Sequence, residues 1–152
     1  MPEYTVSKLN KFLLFKLPSA YFSGVRVKSF GDNEAVATVK HRWINQNPFR
    51  SLYWATQGMA SELATGILVM KKIRDSGRTI SMLVRAQQGE FTKKATGRID
   101  FVCNDGHLID AAIQRSIDTG EGQTVTLRSE GSDEEGDIVS KFEYTWGIKV
   151  KN

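Results

Sequence analysis

The sequence predicts an α+β domain in which about six strands, mostly antiparallel, enclose one long helix. Three observations lead there. Leu52, Ala55, Met59, Leu63, Ile67 and Met70 recur at three- and four-residue steps, the period of one helix face. Several other stretches alternate apolar and polar residues, the period of a half-buried strand. Turn chemistry such as Gly31-Asp32-Asn33 and Asn104-Asp105-Gly106 separates them, with no internal repeat and no low-complexity linker. At 152 residues a single domain, 1–152, is the expectation, and such a chain buries a core without disulfides or metal.

In chain order, Val6 to Leu17 reads as an amphipathic helix with Leu9, Phe12, Leu13 and Leu17 on one face, ended by Pro18. Its three lysines are few for a helix that lies on a membrane. Gly24–Phe30 and Glu34–Arg42 alternate on either side of a Gly-Asp-Asn turn, a hairpin signal. Trp43 to Asn47 then leads to the long helix. Pro48 suits the approach to a helix, and Ser51 is the expected N-cap, its hydroxyl accepting from a free N–H of the first turn. Small residues line this helix, among them Ala60, Ser61, Ala64, Thr65 and Gly66. Gly58 and Gly66 each cost about 1 kcal/mol against Ala, so close approach of other elements is the expected compensation.

Thr79 to Gln87 alternates as a strand, a bend is expected near Gly89 and Phe91, and Ala95 to Cys103 continues as the next strand. His107 to Asp118 reads as a second helix stopped by Gly120 and Gly122. Gln123 to Ser129 is a strand. Glu130 to Asp137 is an acidic loop that lacks EF-hand spacing and reads as a solvated hairpin tip. Ile138 to Val150 closes the chain with Phe142, Tyr144, Trp146 and Ile148 on one strand face.

The net charge of +4 is scattered, and no recognition helix, zinc finger or RNA-binding aromatic motif accompanies it, so nucleic acid is not an expected partner. The single cysteine, Cys103, excludes an internal disulfide and a thiolate cluster. His41 and His107 are too isolated for a metal site, so neither metal nor cofactor is expected. No apolar run reaches the roughly 18 residues of a membrane span, and the first residues lack signal-peptide character. A cytoplasmic protein without stable membrane insertion is the expectation.

Glu62 is the one carboxylate in the small, apolar run, and Asn47 stands fifteen positions before it. Asn47, the loop after it, and Glu62-Leu63-Ala64-Thr65-Gly66 resemble the hotdog fold, in which a curved antiparallel sheet wraps a central helix. The nearer resemblance is to the phenylacetic-acid-pathway thioesterase branch and its DUF4442-like single-domain relatives. It covers nearly the whole chain in element order and is sharp over Asn47 to Gly66. The His-Gly of that branch falls here on Tyr53-Trp54. The resemblance implies a homodimer, possibly paired further into a tetramer, and an acyl-thioester or fatty-acyl ligand carried on coenzyme A or a carrier protein.

It also implies roles for particular residues. A carboxylate in apolar surroundings has its pKa raised and serves as a general base near neutral pH, which places Glu62 in that role. Asn47 is expected to orient the water or the carbonyl. Free N–H groups near Trp54 and Ala55 are expected to stabilise the oxyanion, with the Tyr53 hydroxyl as a further donor. Ser81 is expected to add a polar contact across the dimer, and Met59, Met82 and Phe91 to line an acyl slot. The alternative is a non-catalytic acyl- or lipid-binding protein, because Trp54 is far bulkier than the glycine it replaces. A dehydratase-like enzyme ranks below both, since no histidine lies near the motif.

Overall fold

The computed structural model describes residues 3–152. Among these the chain forms helices α1 (Val6–Lys16), α2 (Pro18–Phe22), α3 (Trp54–Asp75) and α4 (Gly106–Thr119), and strands β1 (Arg26–Phe30), β2 (Ala35–Lys40), β3 (Ile80–Phe91), β4 (Arg98–Cys103), β5 (Gln123–Ser132) and β6 (Ile138–Val150). The strands make one curved antiparallel sheet in the order β1-β2-β4-β5-β6-β3, and α3 touches every strand of it. The α+β architecture read from the sequence is the one observed.

Small side chains let α3 sit inside the sheet. From Ala60 to Val69 every residue except Glu62 is buried. Such a helix has no polar face, so its polar side chains need partners within the core. Strand β6 supplies them. Trp146 Nε1 donates to Thr65 Oγ1 at 3.0 Å, and Thr65 Oγ1 donates to the Glu62 carbonyl at 2.7 Å. The Tyr144 hydroxyl lies 2.7 Å from Ser61 Oγ and donates to the Gly58 carbonyl at 3.0 Å. At Gly66 a Cβ would sit 3.3 Å from the Trp146 ring, so the close approach expected to compensate this glycine is present.

Several local expectations are corrected. Helix α3 begins at Trp54, with Tyr53 at the N-cap and no side-chain cap; the Ser51 hydroxyl is bonded to Asn47 instead. Pro18 does follow the end of α1, whose C-cap is Leu17, and it also occupies the first position of α2, where a missing N–H costs nothing. Strand β3 runs unbroken through Gly89 to Phe91, and its irregularity lies between Val84 and Ala86. Gly89 is needed for packing, since a Cβ there would meet the Phe142 ring at 2.8 Å. Strand β2 is buried on both faces, Val36 and Thr38 included, because the outer face carries Arg98, whose Nη1 donates to Thr38 Oγ1 at 3.2 Å. The acidic loop is neutralised as well as solvated: Lys93 Nζ lies 2.7 Å from Asp133 and from Asp137 and 3.5 Å from Glu135. An ammonium therefore occupies the centre of the one acidic group with the spacing of a cation site among the described residues.

Gly106 opens α4 against the turn that joins β1 to β2. A Cβ there would collide with the Asp32 carbonyl oxygen and lie 2.6 Å from Asn33 Cα, and backbone cannot move aside as a side chain can. Gly106→Ala is expected to lower the unfolding free energy by about 2 kcal/mol, as overpacking does. Urea melts followed by circular dichroism would show it, and an unchanged midpoint would refute the close approach.

Candidate active site at the start of the long helix

The residues before α3 are shaped by Asn47. Its Oδ1 accepts from the N–H of Phe49 at 2.9 Å and of Ser51 at 3.2 Å. Its Nδ2 donates to Ser51 Oγ at 3.0 Å and to the Leu52 carbonyl at 3.3 Å. A loop held this way tolerates Arg50 in the left-handed region, at φ 62°. The loop is then pinned on both sides: Leu52 N–H donates to the Ala95 carbonyl and Tyr53 N–H to the Asn45 carbonyl, each at 2.9 Å. Buried Asn45 ties the same corner together, accepting from Arg42 N–H and donating to the carbonyls of Ser23 and Lys40. Asn45 was not legible as important, because one amide in a loop carries no periodicity.

At the first turn of α3 the Tyr53 carbonyl accepts from both Thr56 N–H and Gln57 N–H. The N–H groups of Trp54 and Ala55 have no acceptor among the described residues, as the first turn of a helix dictates. A cleft of about 470 Å³ opens here, walled by Phe49, Leu52, Tyr53, Trp54 and Phe91, with Lys93 and Lys94 also lining it. Tyr53 and Trp54 are 45% and 55% exposed, so neither plugs the interior. Gln57, which the sequence reading passed over, also lines this cleft while remaining only 4% exposed. A buried glutamine among small residues was the available signal.

Glu62 lies two turns further along. Trp54, Ala55, Gly58, Met59 and Glu62 form a stripe of incompletely buried positions on the first half of α3. The Glu62 carboxylate has no hydrogen-bond or cationic partner among the described residues. A Cβ on Gly66 would lie 3.5 Å from its Oε1, with the Trp146 ring beside it. Burial with no compensating charge raises its pKa from 4.5 to about 7. Tyr144 is close enough to feel that charge. Its own pKa is raised to about 12, by burial first and by Glu62 in smaller part, against the lowering effect of its bond to Ser61. At neutral pH Glu62 is therefore divided between acid and carboxylate, the range a general base needs.

The remaining candidates are distributed as follows. Phe91 lines the cleft and meets Phe142 edge-on at 5.5 Å. Met59 is half-buried on the open stripe of α3, and Met82 is half-buried against the core, opposite Ile148. Ser81 shares the other side of β3 with Leu83 and Arg85, and its hydroxyl donates to the Lys149 carbonyl at 3.3 Å. Within one protomer the structure thus gathers Asn47, Tyr53, Trp54 and Phe91 around one cleft, sets Met59 and Glu62 on the adjoining stripe, and leaves Ser81 apart. Cys103 is buried, and burial pushes its thiol up to about 12.

A curved antiparallel sheet around a buried helix is the hotdog fold, and the class of protein defined here is a single-domain hotdog protein. The chain belongs to the family described as "Domain of unknown function (DUF4442)", which it matches over residues 7–148. PA5026 of Pseudomonas aeruginosa, described as a probable thioesterase, has a similar structure, with a TM-score of 0.83, 20% identity and 99% of each chain covered. OLEI01261 of Chlorobaculum tepidum, of unknown function, gives 0.82 at 18% identity over 97% of this chain and 94% of that one. Thioesterase HI1161 of Haemophilus influenzae gives 0.70 at 14% identity over 98% and 93%. No curated protein matches the sequence. Among the described residues no helix is long and apolar enough to cross a membrane.

The raised pKa of Glu62 links stability to pH. The cost of burying its charge is absent below about pH 4.5, grows as pH rises towards about 7, and is complete above that. Glu62→Gln is expected to stabilise the protein by about 2 kcal/mol at pH 8, after discounting for partial solvent access, and hardly at all at pH 4.5. Urea melts of both proteins at the two pH values check this; a difference that does not change with pH would mean a hydrated carboxylate.

Proposed function

We propose that the protein is an acyl-thioester hydrolase acting on a coenzyme A or carrier-protein thioester, with Glu62 as general base. The observation that carries this reading is an unpaired carboxylate with a pKa of about 7, at the one incompletely buried position of an otherwise enclosed stretch of helix. The thioester carbonyl oxygen accepts from the free N–H groups of Trp54 and Ala55, where the helix dipole favours negative charge. Glu62 takes a proton from water as the oxygen attacks the carbonyl carbon. The tetrahedral intermediate then collapses, the C–S bond breaks, and Glu62 returns the proton to the leaving thiolate. Asn47 acts here through the loop it holds, by fixing the start of α3.

Eight residues separate Trp54 from Glu62, about 12 Å of helix, and the cleft at the helix start does not reach Glu62 of the same protomer. We therefore place the active site between two copies, the helix start of one facing the partner's Glu62. Strand β3 supports a homodimer. It is twelve residues long, pairs only with β6, and carries Leu83 at 64% exposure; an open edge of this kind invites pairing with a second chain. The finer expectation of a tetramer has no such support.

A panel of short, medium, long and aromatic acyl-CoAs is expected to reveal a substrate. Glu62→Gln should lower kcat/KM at least 100-fold with the fold intact, and the wild-type kcat/KM should rise with pH through about 7 and then level. No turnover across the panel would remove the hydrolase reading. Trp54→Pro deletes one N–H at a helix position where proline is well accepted. Mixing inactive Trp54→Pro with inactive Glu62→Gln protomers should restore roughly a quarter of wild-type activity, one intact site in half of the dimers. Absence of restoration would put the whole site in one protomer. The exposed aromatic walls of the cleft also suit a second reading, an acyl-binding protein without turnover, in which acyl-CoAs raise the melting temperature and are recovered intact.

A further inference from the structure

The cleft at the start of α3 is lined by a residue that no step of hydrolysis uses, Gln57. It is 4% exposed, and its buried Oε1 has no hydrogen-bond partner among the described residues. The orientation of the amide is set by its other end, since Nε2 donates to the Leu52 carbonyl at 3.3 Å. Turned over, the amide would bring Oε1 against that carbonyl, acceptor facing acceptor. The spare capacity is therefore an acceptor, and only a donor can fill it. Burying such a group unpaired is costly, and buried side-chain oxygens ordinarily have a partner. The surrounding walls are Phe49, Leu52, Tyr53, Trp54 and Phe91. No donor on those side chains reaches Gln57 Oε1. Gln57 is the fourth residue of α3, in the same first turn as Trp54 and Ala55.

We infer that Gln57 is a specificity-determining residue, and that the cleft takes a chain bearing an N–H or O–H donor within an otherwise apolar body, the donor bonding to Gln57 Oε1. An unsubstituted fatty-acyl chain alone leaves this acceptor unpaired and is discriminated against. Two sources offer the donor: an amide N–H of a pantetheine arm, or a hydroxyl carried on the acyl chain. The inference rests on the preceding section only in taking this cleft as the ligand site; it does not require that the ligand be hydrolysed.

Three thioethers that cannot be hydrolysed serve as probes, with binding to the full chain read by titration calorimetry. They are S-(2-oxoheptyl)pantetheine, its 4-hydroxy derivative, and the S-(2-oxoheptyl) ether of ethanethiol, which has neither amide nor hydroxyl. If the amide is the donor, the pantetheine probe binds about tenfold tighter than the ethanethiol probe, and N-methylation of its amides removes the gain. If the hydroxyl is the donor, the 4-hydroxy probe binds about tenfold tighter than plain S-(2-oxoheptyl)pantetheine. In either case Gln57→Leu, nearly equal in size, erases the gain and binds the ethanethiol probe at least as well as wild type. Wild-type affinities within about twofold across the probes, or a gain that survives Gln57→Leu, would overturn the inference. Should Gln57→Leu fail to fold, the wild-type probes and the N-methylated amide still decide the matter. Acyl-CoA turnover is read separately. Donor-dependent binding without turnover defeats only the hydrolase reading, and turnover without donor dependence defeats only this one.

Discussion

The structure depends on burying one helix on nearly every side. A helix enclosed by a sheet has to remove its polar groups or pair them inside the core, because an unpaired group there costs about as much as a lost hydrogen bond. Helix α3 does both. Its enclosed stretch combines alanine, glycine and small hydroxyl residues with Leu63, Ile67, Leu68 and Val69, and β6 reaches those hydroxyls with a tryptophan N–H and a tyrosine O–H. The two elements specify each other. Trp146 without Thr65 would bury an unpaired N–H, and without Gly66 it would have no room for its ring.

That enclosure also gives Glu62 its chemistry. A carboxylate on an ordinary surface helix keeps its ordinary pKa. Here the same side chain is largely buried, with no cation among the described residues to compensate it, and the proton is held to about neutral pH. The start of the helix is prepared differently, by backbone. Asn47 and Asn45 use their amides to hold the corner, and they leave the first N–H groups of α3 without acceptors next to an apolar cleft. One end of the helix thus carries free N–H groups and the middle an unpaired carboxylate, and β3 leaves a long edge of the sheet open.

Much of this was legible in the residues. The period of α3, the hairpin of β1 and β2, the inward face of β6 and the isolation of Glu62 all follow from local patterns of apolar and polar residues. The errors share one cause. Ser51 was read as a cap because serine suits that position, but Asn47, four residues earlier, offers its hydroxyl a partner. Gly89 was read as a bend because glycine is permissive, whereas its lack of a side chain accommodates the Phe142 ring. In each case a residue with two local meanings was resolved by a neighbour that the sequence does not identify.

The sequence by itself determined the fold class, the burial of the long helix and the presence of a single carboxylate within its small, apolar run, since periodicity and side-chain size are local properties. Tertiary structure decided what surrounds that carboxylate and which polar atoms remain unpaired. Those depend on residues brought together from distant elements, such as Trp146 against Gly66 and Thr65, and on cavities such as the one that Gln57 lines. Desolvation and unmet hydrogen bonds are properties of packing in three dimensions, and no spacing along the chain encodes them.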